Sequence, residues 1–351
     1  MKQNEIIFKF LKEQFLKFFE PGNSKINVLN NRKEIKTTHE FNGPVNHICE
    51  LKKEDLLIVN ISNPNNNNEE LYIYKKSPDF NFNEIHSSII EHDKILSLSE
   101  LKNGNLLIIQ NKAFKIYEIN KKEKVTKLIQ EEEIEEQNYY FKDILELFNG
   151  YLVSLTVNLD KKNKIIFWRK NLITGKYKMK KERSKEKAIA IIEKDKNSFF
   201  VFCDNNELFI WNINTYEETP IGNLNLKEGI NYELQKILKI NENGLIFYYK
   251  EILIIFNLST LQTIEVNESI DAICNVSNSN FFLASFNERN NKGIYLISCY
   301  LDKKEVKCDK FPDNFHNDVI NCIYQLDNGD IITGSSDKTI KIFELNTNYI
   351  Y

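Results

Sequence analysis

Five histidines, six cysteines and fifty carboxylates are the groups in this chain that could carry acid–base, nucleophilic or metal chemistry. Their spacing supports none of the three. His39, His47, His86, His92 and His316 form no H-E-x-x-H, the helical arrangement that places a base between two zinc ligands. Cys49, Cys203, Cys274, Cys299, Cys308 and Cys322 include no C-x-x-C, and no Cys/His group has zinc spacing. There is no G-x-G-x-x-G after a strand, no P-loop and no G-x-S-x-G elbow, so phosphate cradling and serine hydrolysis have no carrier. His47 stands near the start of a hydrophobic stretch, where a contact in a central funnel is its functional reading. No pair of carboxylates is singled out by spacing. The expectation is no catalytic residue, no metal ligand and no cofactor.

The scaffold that would position these groups is most legible at the C-terminal end. From His316 to Leu345 the chain reads HNDVINCIYQLDNGDIITGSSDKTIKIFEL. A hydrophobic strand over Val319–Tyr324 meets a turn at Asp327–Asp330. A second strand, Ile331–Thr333, leads through a Gly-Ser-Ser-Asp-Lys-Thr turn into a third, Ile340–Leu345. Such a unit cannot bury its own apolar face, so it predicts sister copies.

Those copies are present as a hydrophobic frame. Ile320-Ile323-Leu326 in the last unit is matched by Val45-Ile48-Leu51, Ile95-Leu98-Leu101, Phe141-Ile144-Leu147, Leu234-Ile237-Ile240 and Ile270-Ile273-Val276. Ala188-Ile191 begins another copy, with Lys194 at its third position. The units recur at intervals of about 36 to 50 residues, the range of propeller repeats. Asn103-Gly104, Asn149-Gly150, Asn243-Gly244 and Asn328-Gly329 follow the first strand, as tight β-turns require. An aromatic closes the third strand at Tyr74, Tyr117, Trp168, Trp211, Phe256 and Phe343; the sixth unit has no clear equivalent. The expected fold is all-β, a seven-bladed β-propeller of four-stranded antiparallel blades over 23–351, with one N-terminal α-helix in 1–22.

On these residues the chain resembles the WD-repeat propellers, with the match covering about residues 25–351. The last unit carries most of the motif. There the resemblance implies a structural hydrogen-bond network at His316, Thr333 and Asp337, with Phe343 in place of the family's tryptophan. Trp211-Asn212 comes nearest to the Trp-Asp dipeptide, and elsewhere the polar signature is eroded. The resemblance also implies that an N-terminal segment completes the last blade. Glu34–Glu40 fits best, Lys25–Leu29 also reads as a strand, and Asn348–Tyr351 competes for the same edge. Partner contacts in the family cluster on the face bearing the loops that lead into each blade. Matching positions here are Asn46, Lys142, Gln235, Asp271, Asn321 and Ser336.

Two features lie outside the repeat. Asn4–Phe19 has helical apolar spacing (Ile7, Phe10, Leu11, Phe15, Phe18) and ends at Pro21-Gly22. It reads as a cap on the ring, as a partner-binding helix, or as a membrane-surface helix, since Lys2, Lys9, Lys12 and Lys17 are offset by Glu5, Glu13 and Glu20. An acidic run, Glu131–Glu136, and a basic run, Lys176–Lys187, each precede a blade's first strand. They read as solvated loops or as a bipolar docking rim. Long hairpins are expected at Asn63–Glu70, Asp160–Lys164 and Asn287–Gly293.

A net charge of −3 with 28% charged residues gives no general attraction to polyanions. The four arginines are scattered, which disfavours bidentate phosphate recognition, and nucleic-acid binding is not expected. The unpaired cysteines point to a reducing, cytoplasmic setting. The functional expectation is therefore a non-catalytic protein-interaction scaffold or adaptor with a protein or peptide partner. The alternatives are a peripheral membrane adaptor using residues 4–19 and a propeller enzyme with titratable groups in its funnel.

Overall fold

A computed structural model describes residues 37–76, 83–120, 125–224, 234–241, 244–249, 252–266, 270–276, 281–288, 291–300, 305–310 and 316–343. The expected helix Asn4–Phe19 and the strand Lys25–Leu29 lie outside them, as does Asn348–Tyr351. Among the described residues every regular element is a β-strand.

Strand β1 (Thr37–Glu40) precedes six consecutive four-stranded antiparallel sheets. The first holds β2 (Val45–Leu51), β3 (Leu56–Ser62), β4 (Glu69–Lys75) and β5 (Asn83–Glu91). The next holds β6 (Ile95–Glu100), β7 (Leu106–Gln110), β8 (Ala113–Asn120) and β9 (Val125–Glu133). Then come β10 (Tyr139–Glu146), β11 (Leu152–Asn158), β12 (Lys164–Lys170) and β13 (Tyr177–Ser184). They are followed by β14 (Ala188–Asp195), β15 (Ser198–Cys203), β16 (Glu207–Asn212) and β17 (Glu218–Asn223). The fifth holds β18 (Leu234–Asn241), β19 (Gly244–Tyr249), β20 (Leu253–Asn257) and β21 (Gln262–Val266). The sixth holds β22 (Ile270–Asn275), β23 (Phe281–Glu288), β24 (Asn291–Tyr300) and β25 (Glu305–Lys310). A further sheet joins the two ends of the chain: β26 (Ile320–Gln325), β27 (Ile331–Ser335), β28 (Thr339–Phe343) and, on its outer edge, β1. The first strand of each sheet lies against the preceding sheet, mostly against its first strand and for β10 against β7, with β26 against β2 closing the circuit, so the sheets are blades of a closed all-β propeller.

Each residue that opens the hydrophobic frame begins or lies near the start of an innermost strand, and each is buried: Val45, Ile95, Phe141, Ala188, Leu234, Ile270 and Ile320. The cores lie between blades, not within them. Val45, Val59 and Tyr74 of the first blade pack with Ile332, Ile340 and Ile342 of the closing one. Phe167 and Val153 pack with Phe199 and Trp211 of the following blade. Phe200 and Phe202 pack with Phe247 and Phe256 in the same way. A single blade would leave one such face in water, which is the physical reason for the repeat.

Register sets the third-strand aromatic opposite one fixed position of the second strand. Leu57 pairs with Tyr74, Leu106 with Tyr117, Leu152 with Trp168, Phe199 with Trp211, Leu245 with Phe256 and Ile331 with Phe343. In the β22–β25 blade the same register pairs Phe282 with Ile297. Ile297, fully buried, stands where the others have a ring.

Ring closure uses Thr37–Glu40, which pairs with β28 from Thr37↔Ile342 to Glu40↔Thr339. The expected segment Glu34–Glu40 thus supplies the strand with its C-terminal part, 34–36 lying outside the described residues. The loop expected at Asn287–Gly293 is shorter than supposed. Asn287 pairs with Lys292 and Glu288 with Asn291, because the polar residues continue the β23–β24 ladder instead of leaving it. The hairpins at 63–68 and 159–163 are turns, the first closed by Asn63 N to Asn68 O at 2.8 Å.

Candidate functional site

A bulge recurs one step after the frame residue in every innermost strand. The register shifts between Val45 and His47, Ile95 and Ser97, Phe141 and Asp143, and Ala188 and Ala190. It shifts again between Leu234 and Lys236, Ile270 and Ala272, and Ile320 and Cys322. A bulge leaves one residue out of the ladder and re-aims its side chain. The residues left out of the ladder are Asn46, Leu96, Lys142, Ile189, Gln235, Asp271 and Asn321, all at the same end of the ring. Five of the six expected partner positions therefore coincide with this rim. Leu96 and Ile189 belong to the same rim although neither is polar, because the bulge is indifferent to polarity.

The rim residues differ in what already holds them. Asn46 donates to Ser62 Oγ at 2.6 Å, and Ser62 donates to Glu69, which also accepts from Asn60. Asn321 donates to Val45 O at 3.0 Å and exchanges hydrogen bonds with Ser336. Asn46, Asn321 and Ser336 thus gather where the first and closing blades meet. Lys142 and Gln235 stand further round the ring and are exposed, and Asp271 is half-buried.

Just inside the rim, titratable groups face the central channel. Lys236 acts electrostatically on His47, Asp143, Cys274 and Cys322, which belong to four other blades. Only a central position reaches all four. Burial in the ring pushes the Asp143 carboxyl up to about 6, with Lys236 opposing. Burial also pushes His47 down, against the pull of its 3.1 Å contact with Ile95 O. Burial holds the thiols of Cys49 and Cys322 up at about 12 and that of Cys274 at about 11, so they stay protonated and unsuited to attack or metal ligation. No ion pair joins Asp143 to Lys236, and among the described residues no group of three His, Cys, Asp or Glu could hold a metal. Among the described residues these groups include no nucleophile–base pair in contact.

The hydrogen-bond network of the closing blade is intact. His316 is 4% exposed; its Nδ1 lies 3.0 Å from Asp337 Oδ2 and its Nε2 2.8 Å from Thr333 Oγ1. Thr339 Oγ1 donates to Asp337 at 2.7 Å, and Phe343 is buried beyond. The position of Thr333 in this register is Ser154 in the β10–β13 blade and Val201 in the next. Ser154 Oγ accepts from Trp168 Nε1 at 2.9 Å. Trp211 faces Val201 instead, and its buried Nε1 has no hydrogen-bond partner.

The charge runs are placed differently from expectation. Glu131–Glu133 ends β9 and Lys178–Ser184 fills β13, so half of the acidic run and most of the basic run lie on outermost strands, while 134–136 and 185–187 stand in the loops leading into the next blades. An outermost strand has one neighbour and one wet face, which tolerates charge and gains protection from edge pairing. Part of the charge is also neutralised within the ring. Lys115 meets Glu131 at 3.3 Å, Lys164 meets Glu136 and Glu182 at 2.7 and 3.1 Å, and Lys185 meets Glu218 at 2.7 Å.

No family model matches the sequence, and no curated protein matches it. Similarity is found among solved structures. A chain in the crystal structure of the mitotic checkpoint complex superposes with a TM-score of 0.64 and 11% identity, covering 91% of this chain and 97% of that one. In all, 1229 solved chains match, so the likeness establishes an architecture and not an activity.

Proposed function

We propose that this protein is a non-catalytic interaction scaffold whose partner, a protein or peptide, binds the rim formed by Asn46, Lys142, Gln235, Asp271 and Asn321, with Ser336 at its edge. The observation that carries this reading is the repeated bulge. It lifts one side chain per blade to the same rim, and those side chains differ in size, charge and polarity. A rigid ring bearing unlike groups is suited to reading a partner's surface, not to concentrating one kind of chemistry. A similar fold within the mitotic checkpoint complex supports a role in assemblies. The free thiols at Cys49, Cys203, Cys274 and Cys322 support a reducing, cytoplasmic setting.

The test is affinity capture with quantitative comparison of wild type, a rim variant (Lys142→Glu with Gln235→Lys) and an outer-strand variant (Lys178→Glu). Loss of the same captured proteins in the rim variant alone is expected. Identical capture by all three chains refutes the rim as the binding face.

A further inference from the structure

Three hairpins between the third and outermost strands share one turn: 171–176, 212–217 and 257–262. In each, an Asn side chain accepts hydrogen bonds from the next-but-one N–H and the one after. Asn171 Oδ1 takes Ile173 and Thr174 at 2.9 and 3.1 Å. Asn212 takes Asn214 and Thr215 at 2.8 and 3.2 Å, and Asn257 takes Ser259 and Thr260 at 2.9 and 3.2 Å. The fifth residue has positive φ in all three: Gly175 at 70°, Tyr216 at 59° and Leu261 at 54°.

One backbone thus gives three side-chain outcomes. In the second position Ile213 turns into the core at 3% exposure, and Leu258 packs partly buried against its neighbours. Leu172 at the same position is 94% exposed. In the third position the sister turns carry Asn214 and Ser259, where this one carries Ile173 at 95% exposure. The turn itself does not force two aliphatic side chains into water.

The sequence on either side of the turn is one-signed. Between Arg169 and Lys181 lie Arg169, Lys170, Lys176, Lys178, Lys180 and Lys181, with no acid. At the corresponding place in the next blade stand Glu217, ending the turn, and Glu218, opening β17. Phe148, 70% exposed, lies on the first turn at the same end of this blade, with Lys102 Nζ 4.9 Å from its ring centre. Tyr177 OH to Glu146 at 3.2 Å ties the two turns together.

An apolar tip with cations behind it matches a layer that is anionic at its surface and apolar beneath. We propose that the Asn171–Lys176 turn is a membrane-contact site. Leu172 and Ile173 enter the acyl region of an anionic bilayer, and the lysines behind them meet the headgroups. The site lies at the opposite end of the ring from the bulge rim, so it does not depend on the partner reading. It also differs from any contribution of residues 4–19.

The test is co-sedimentation of the full chain with phosphatidylcholine vesicles, with and without phosphatidylserine. Wild type is expected to bind only the phosphatidylserine vesicles and to be released by high salt. Leu172→Asp with Ile173→Asp is expected to lower binding by about tenfold or more. Lys176→Glu with Lys178→Glu should weaken binding as well. Both variants alter exposed residues, and unchanged circular dichroism and melting checks that each is folded. The proposal is overturned if wild type fails to bind phosphatidylserine vesicles, or if the folded Leu172/Ile173 variant binds as well as wild type.

Discussion

Trp168 and Trp211 occupy equivalent places in adjacent blades, yet only one has a partner for its indole N–H. Ser154 satisfies Trp168, and Val201 leaves Trp211 orphaned. A buried unsatisfied donor is costly, so Ser154→Ala should lower stability by about 1–3 kcal/mol and Val201→Thr should raise it by about 1 kcal/mol. Chemical denaturation of the two variants beside wild type measures both, and a Val201→Thr midpoint below wild type would show that the added hydroxyl is not satisfied. The sequence made the His316 network visible because its residues stand in one continuous motif. The Ser154–Trp168 bond was hidden, because it depends on a register across a hairpin and on the absence of a histidine beside it. The same network sets a pH response. Burial lowers the pKa of His316 below 6.5, so its contribution is present above that value and declines as pH falls below it. Asp337, held at about 2 against an ordinary 3.8 by its hydrogen bonds, adds a second loss as pH falls from about 4 toward 2. Melting temperature should therefore drop in two acid stages. His316→Gln should shrink the upper stage, with His47 retaining part of it, and reduce the lower one without abolishing it, since Thr339 and Asn317 still donate to Asp337; an unchanged upper stage would exclude His316 as its source.

Strands were easier to read than what joins them. The frame residues are apolar for packing between blades, so their spacing survives when the polar signature is lost. The bulge beside each frame residue has no residue preference that marks it, and only the paired strands reveal it. The charge runs divide between leading loops and outermost strands because charge is a sign of exposure, and an outermost strand is as exposed as a loop. The need to close the ring points to Glu34–Glu40 in the sequence, and Thr37–Glu40 within it forms the strand. Its role can be tested by removing residues 1–40. The bare edge of β28 should then seek another strand, with a lower melting temperature and concentration-dependent oligomers on size-exclusion chromatography. A monomer with wild-type melting would mean that the closing strand is dispensable.

The whole ring is held where its first and closing blades meet. Glu50 accepts from Asp327 N at 2.9 Å, and Lys76 bridges Glu50 and Asp327. Gly334 faces Val45 so closely that an added Cβ would lie 2.4 Å from Val45 Cγ1 and 2.8 Å from Cys322 Sγ. Gly334→Ala should cost about 1–3 kcal/mol by overpacking this junction. Because each core is shared by two blades, the loss should spread round the ring. The fluorescence of Trp168 and Trp211, several blades away, should shift its midpoint together with far-ultraviolet circular dichroism. Separate transitions would mean that the blades unfold independently.

Thr37 and Ile342 are ladder partners about 300 positions apart. At the usual pace of synthesis, about 5–20 residues per second, roughly 15–60 s pass between making one and the other. During that interval the first blade has no neighbour for the face that will meet Ile332, Ile340 and Ile342, and β1 has no strand to join. The nascent chain must therefore carry an uncovered apolar sheet face until Ile342 has been made. Chaperone engagement is then a need set by topology, concentrated on Val45–Tyr74, and it would end when the last blade leaves the ribosome.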